Sequence, residues 1–302
     1  MNFGYTDAAF WFMLRLINTE AAPLKRVIEI AYPVLDHIDV YQITADGKTL
    51  HTKMGDKQPF HLRPILHRNF MIPVTLAPNA SVKIFIRVKT SSSMQIPLNL
   101  WKERAWMAKS LNESLNLGLF FGIMLIMGLY NLFVFISVRE IYYLFYVCFV
   151  LCMTIFLASL KGLSFQYLWP HNVLWNDQGI IVGLAGVILF FALFLRDFIN
   201  LPGNRPLSSK FTLSIAILSA IIIGSTFFLP YRVMIQWVIL TAVIAIMGAT
   251  VIVIIRWMDG DISARYFMLA WSAMMLGGII LAANKFNLIP RNLFTENATS
   301  TA

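Results

Sequence analysis

Apolar and polar residues alternate in short runs before residue 102, then give way to long unbroken apolar stretches after residue 110. Alternation with a period of two marks a half-buried strand. It recurs at Phe10 to Ile17, Arg26 to Ala31, Ile38 to Ile43, Asn69 to Leu76, Val82 to Val88 and Ile96 to Trp101. The fifth run is the cleanest: Val82, Ile84, Ile86 and Val88 face one way, and Lys83, Phe85, Arg87 and Lys89 the other. Asp46-Gly47, between Ile43 and Leu50, predicts a tight hairpin, and Pro78-Asn79 another turn. Strands at this spacing predict a β-sandwich or jelly-roll head over residues 1–108.

Beyond the head lie six charge-free stretches: Ser114 to Val138, Ile141 to Leu160, Gln178 to Leu195, Phe211 to Tyr231, Val233 to Ile255 and Tyr266 to Asn284. About 20 helical residues cross a bilayer core, and barrel strands would alternate over about 10 residues, which these do not. The region 114–302 is therefore predicted to be an α-helical transmembrane bundle. Six spans return the chain to its starting side. With the head outside, the inner loops hold Arg139, Arg196, Arg205, Lys210, Arg256 and Arg265, against Lys161, Arg232, Lys285 and Arg291 outside. The bias favours an external head by six to four; Lys102, Arg104 and Lys109 beside the first span oppose it.

Composition narrows the class. The chain is 58% hydrophobic and 13% charged, which excludes an ordinary soluble enzyme and a disordered protein. Residues 1–110 carry 14 Lys/Arg and 8 Asp/Glu, and residues 111–302 only 10 and 7. The net charge of +9 is scattered, without the basic and aromatic cluster of a nucleic-acid partner. Cys148 and Cys152 share one face of the second span and read as small packing residues. No phosphate loop, zinc-protease helix, nucleophile elbow or CxxC is present, so no catalytic residue, metal or cofactor is expected. No Asp, Glu, Lys, Arg or His sits mid-span, which disfavours a proton-coupled transporter. A transporter or channel subunit with a β-rich accessory domain remains the alternative class, with a water path near Tyr130, Asn131 and Gln236.

One head segment, Phe60 to Phe70, lacks strand periodicity and groups Arg63, Arg68, His61 and His67. With Trp11 or Tyr41 beside it, this is the chemistry of a polar-ligand or carbohydrate site. The other reading is a solvated loop whose arginines pair with Asp36, Asp39 or Asp56. In the membrane region, Gly118-x-x-x-Gly122 suits close helix packing, and Tyr130-Asn131 suits hydrogen bonds between helices. The joint from Lys161 to Asp177, with Phe165, Tyr167, Trp169 and Trp175, reads as an aromatic cap at the membrane interface, with contact to the head as a second reading.

The order of these features is similar to that of the bacterial 7TM receptors with diverse intracellular signalling modules. The head resembles their second type of extracellular sensory domain through Asn2 to Asp7, Trp11, Asn18, Gly55-Asp56, Phe60, Arg63-Pro64, His67 to Phe70, Arg87 and Ser91-Ser92. The membrane region resembles theirs through Gly118, Gly122, Tyr130-Asn131, Arg139, Tyr142-Tyr143, Tyr146, Gly162, Tyr167 to Pro170, Leu288 to Asn292 and Thr295-Glu296. The resemblance implies a periplasmic jelly-roll head on a seven-helix transducer in the bacterial inner membrane. It implies a small-molecule or glycan ligand facing Trp11, Arg63, His67, Arg68 and Arg87, a cytoplasmic kinase or diguanylate cyclase output, and a homodimer within the lipid bilayer. An Arg usual after the first Trp is replaced here by Phe12-Met13. On this resemblance the chain is expected to be a fragment, short of an upstream strand and signal peptide and of a seventh helix with its output module.

Overall fold

The computed structural model describes residues 2–5, 8–269 and 272. Among the described residues the head has nine strands: β1 (Asn2–Tyr5), β2 (Phe10–Ile17), β3 (Leu24–Ile30), β4 (His37–Ile43), β5 (Thr49–Met54), β6 (Phe70–Leu76), β7 (Ser81–Lys89), β8 (Ser93–Gln95) and β9 (Leu98–Lys102). They form antiparallel sheets in the orders β2-β7-β4-β5, β6-β3-β9 and β1-β8. The core cluster draws on both larger sheets, with Ile28 and Ile30 from β3, Val40 from β4, Phe70 and Ile72 from β6, and Ile84 and Ile86 from β7, all 2% exposed or less. This is a β-sandwich, as the alternation predicts. Pro73 sits in β6, an edge strand, where its missing N–H breaks no ladder.

Three strands differ from the sequence reading. β5 carries Leu-His-Thr-Lys with little alternation, and it forms because the Asp46-Gly47 turn folds it back along β4. Among the described residues β1 and β8 pair with each other alone, and they are too short to show a period.

The helices with described bounds are α1 (Glu103–Val138), α2 (Ile141–Leu160), α3 (Leu163–Tyr167), α4 (Val173–Phe198), α5 (Leu201–Asn204), α6 (Pro206–Ser225) and α7 (Tyr231–Met258). Five of them, α1, α2, α4, α6 and α7, are long and apolar enough to cross a membrane. The second span has the predicted bounds. The first helix starts eleven residues before its charge-free stretch, because Lys109 and Glu113 pair across one turn rather than ending it. The fourth stretch, read to Tyr231, ends as a helix at Ser225. Residues 226–229 are uncharged but form a turn before Pro230, and a charge count does not see a turn. Of the sixth stretch, only residues 266–269 and 272 are described, and they are helical. The remainder of that stretch, Leu288 to Asn292 and Thr295-Glu296 lie outside the described residues.

The chain divides into two compact units. The first holds the head with the start of α1, residues 152–184 and residues 222–236. The second holds residues 120–151, 185–221 and 237 onward. Inside the second unit, Phe191, Leu195, Ala249 and Val253 form a buried core flanked by Phe149, Phe198 and Phe267. Arg205 makes a bidentate pair with Asp259 at 2.8 and 3.2 Å, and Arg256 pairs with Asp261.

Candidate functional site

Alternation fixes which side chains leave the sandwich. On the four-stranded sheet, β2 turns Trp11, Met13 and Arg15 outward, β7 turns Lys83, Phe85 and Arg87, β4 turns Asp39 and Tyr41, and β5 turns His51 and Lys53. Register aligns them in rows. Trp11 lies opposite Arg87, Arg87 opposite Asp39 and Asp39 opposite Lys53; the next row runs Met13, Phe85, Tyr41, His51.

Three rings stack across this face. Tyr41 lies 4.3 Å from His51 at 4° between planes, and 6.0 Å from Trp11 at 22°. Trp11 is 58% exposed, so indole surface remains open to a ligand. Beside the stack, Arg87 Nη1 donates to Asp39 Oδ2 at 3.0 Å, and His51 Nε2 lies 3.1 Å from Asp39 Oδ1. His37, Asp39, Lys53, Gln58 and Arg87 rim a shallow depression. An aromatic platform beside a charged, hydrogen-bonding rim is suited to a polar ligand with one apolar face.

Arg63, His67 and Arg68 lie elsewhere, and no hydrogen bond or ring contact joins them to Trp11, Tyr41 or Arg87 among the described residues. Arg63 is 6% exposed. Its guanidinium carbon stands 4.5 Å from the ring centroids of both Phe60 and Phe70, and its Nη1 donates to the carbonyls of His67 and Arg68 at 2.8 Å. Burial lowers its pKa to about 10. These contacts make Arg63 the organiser of its own loop. Arg63 is buried rather than solvated, and of Asp36, Asp39 and Asp56 it is Asp56, itself buried, whose charge acts on it.

His67 packs edge-on against Trp106 of α1, and its Nδ1 accepts the Asn69 N–H at 3.1 Å. Burial, with Arg68 beside it, holds the imidazole down at about 4. Arg68 pairs with Glu113 of α1. Next to them Glu29, 1% exposed, accepts from Asn69 Nδ2 and Trp101 Nε1 at 2.8 Å and from Lys109 Nζ at 2.9 Å. Burial works to raise the Glu29 carboxyl, and the hydrogen bonds from Lys109 and Asn69 outweigh it and hold it below its ordinary value. This group fastens the β6-β3-β9 sheet to the first helix.

The aromatic joint also meets the head. Phe165, 2% exposed, packs edge-on against Phe60, the Phe60 N–H donates to Pro170 O at 3.3 Å, and Lys57 pairs with Asp177. Gly162 enters α3 at φ 73°, where a Cβ would stand 2.7 Å from Pro33. The joint is therefore in part a cradle for the head, although Tyr167 and Leu168 stay exposed.

Within the helices, a Cβ at Gly118 or Gly122 would meet nothing within 4 Å, and the buried glycine of α1 is Gly128, facing Val150 of α2. Asn131 Nδ2 donates to Met127 O of its own helix at 2.8 Å rather than across helices, and Tyr130 is 63% exposed. Among the described residues no three His, Cys, Asp or Glu side chains are placed to hold a metal.

The sequence reading missed Asp39, His51 and Lys53 as neighbours of Trp11 and Arg87, and Glu29 at the base. Strand parity pointed Asp39 the same way as Tyr41; Phe165 was marked as part of the aromatic joint, and its contact with the head was the second reading of that joint.

A β-sandwich continuous with membrane-length helices is the architecture of a multi-pass membrane protein with a β-rich head, and the family matches make it one of the sensory-receptor class. Residues 113–302 match the family described as 7TM diverse intracellular signalling, and residues 1–102 match 7TMR-DISM extracellular 2. The chain belongs to the 7TM diverse intracellular signalling family. No curated protein matches it.

Proposed function

We propose that the head binds an extracytoplasmic, carbohydrate-like ligand on the outer face of the β2-β7-β4-β5 sheet. Occupancy then biases the helix bundle towards one of two arrangements, and differential affinity for them is the signal. The receiver is a cytoplasmic output module of kinase or diguanylate cyclase type. The head lies in the periplasm and the bundle in the bacterial inner membrane. The observation that carries the reading is the Trp11–Tyr41–His51 stack beside the Arg87–Asp39 pair.

The test is melting of the full chain in lipid nanodiscs against a panel of neutral and acidic oligosaccharides. At least one should raise the melting temperature, and Trp11→Ala should remove the shift. A panel without a single shift rejects the reading.

A further inference from the structure

The outward positions of this sheet hold five cations, Arg15, Lys53, Lys83, Arg87 and Lys89, and one carboxylate, Asp39. Asp39 is already engaged by Arg87 and His51. Lys53 stands opposite Asp39 in register without an ion pair to it, and among the described residues Arg15, Lys83 and Lys89 face no carboxylate.

Cations on edge strands keep sheets from pairing edge to edge. That accounts for Arg15 on β2 and Lys53 on β5, the two edges. It does not account for Lys83, Arg87 and Lys89, because β7 is an inner strand between β2 and β4. Register also places Arg15 directly opposite Lys83, and like charges in that position destabilise a sheet. Residues two apart on β7 stand about 7 Å from each other, so the cations form a line rather than a point. The Met13, Phe85, Tyr41, His51 row runs across the middle of that line.

We infer that the ligand, on the sensory reading above, is an anionic saccharide carrying carboxylates of the uronic-acid type. The apolar face of one sugar ring lies on Trp11 and the aromatic row. Its carboxylate accepts from the Arg87 fork and from Lys53, and a neighbouring sugar's carboxylate reaches Lys83. A repeating acid suits a line of cations, and a pyranose face suits the rings between them.

The experiment is isothermal titration of the full chain, in phosphatidylcholine nanodiscs, with trigalacturonate and with its methyl ester, which keeps the shape and removes the charge. The acid should bind, and the ester should bind about ten-fold or more weakly. Lys83→Gln should weaken the acid several-fold and leave the ester unchanged, Arg87→Gln should weaken the acid more than the ester, and added salt should weaken the acid alone. Equal binding of acid and ester overturns the anionic assignment and leaves the sensory reading standing. So does a neutral oligosaccharide that binds where the acid does not. Acid binding that survives both substitutions puts the site elsewhere and overturns the assignment. A response to phosphatidylglycerol nanodiscs with none to any saccharide gives the cations to lipid, and both readings fall.

Discussion

The guanidinium carbon of Arg63 lies 5.5 Å from the ring centroid of Phe165, one hundred and two positions further along the chain. With Phe60 and Phe70 it completes an aromatic cage that closes only when the joint after α2 is in place. Arg63→Lys keeps the charge and loses the planar stacking and the paired donation to two carbonyls, and should cost about 2 kcal/mol. Phe165→Ala should cost about 3 kcal/mol or more. In a double-mutant cycle the two losses should be strongly non-additive. Melting of the full chain checks this, and additive losses would remove the cage from the account. Arg87→Ala should leave melting nearly unchanged and act on ligand binding instead.

Glu29 holds three donors on one buried carboxylate. Glu29→Ala leaves Asn69 and Trp101 without their acceptor and releases Lys109 to Glu113, so a cost of about 3 kcal/mol is expected. Glu29→Gln keeps the size and part of the bonding and should cost less. The two variants are compared by hydrogen exchange over residues 98–113. Protection there should fall more in the alanine variant, and equal exchange in all three proteins contradicts the clasp.

Acidity acts on the head through two groups of opposite sign. Burial, with Asp36 close by, pushes the Asp56 carboxyl up to about 7, while Lys57 and Arg63 oppose the rise. Between its ordinary 3.8 and about 7 the folded chain binds a proton that the unfolded chain does not. Stability from this group therefore falls as pH rises through that window. His67 is held down at about 4 from 6.5, so there the unfolded chain binds the extra proton and stability falls as pH drops through the window. Asp56→Asn should melt above the parent protein at pH 8, with the gain shrinking towards pH 5. His67→Asn should lose less stability than the parent between pH 6.5 and pH 4. Unchanged pH slopes in both variants would show that neither group titrates this way.

Gly162 supplies a left-handed residue at a close approach. Alanine there meets Pro33 at 2.7 Å and the Arg68 carbonyl at 3.2 Å, in a conformation that L residues rarely adopt. Gly162→Ala should destabilise the protein by about 2 kcal/mol. Limited proteolysis in the joint 161–177 should quicken in step, and an unaltered digestion rate would contradict that.

Much of the fold is legible because its signals are local. β2 runs from Phe10 to Ile17, as the alternation predicts, and α2 is bounded by the charges Glu140 and Lys161. The turn at 226–229 is not legible, because uncharged residues look the same whether they cross a bilayer or reverse the chain. At the candidate face, parity was enough to turn Trp11, Tyr41 and Arg87 outward, but the register that brings Asp39 between Arg87 and Lys53 is a property of strand pairing. The Arg63, His67 and Arg68 group was visible as a cluster. Its role was not, since its partners Glu29, Lys109, Glu113 and Phe165 come from distant segments. A run of arginines and histidines looks the same whether it awaits a ligand or is already occupied by its own chain.

β9 ends at Lys102 and α1 begins at Glu103, with no residue between them. No linker separates the two, so any bending there falls on the terminal residues Lys102 and Glu103 themselves. The 36 residues of α1 make a rod about 54 Å long, more than a bilayer core of about 30 Å requires. The start of α1 is tied to the β6-β3-β9 sheet both through the chain and through the Glu29–Lys109 and Arg68–Glu113 pairs. On the proposed sensory reading, a change in the angle of β9 would pass to the start of α1 with no linker to absorb it.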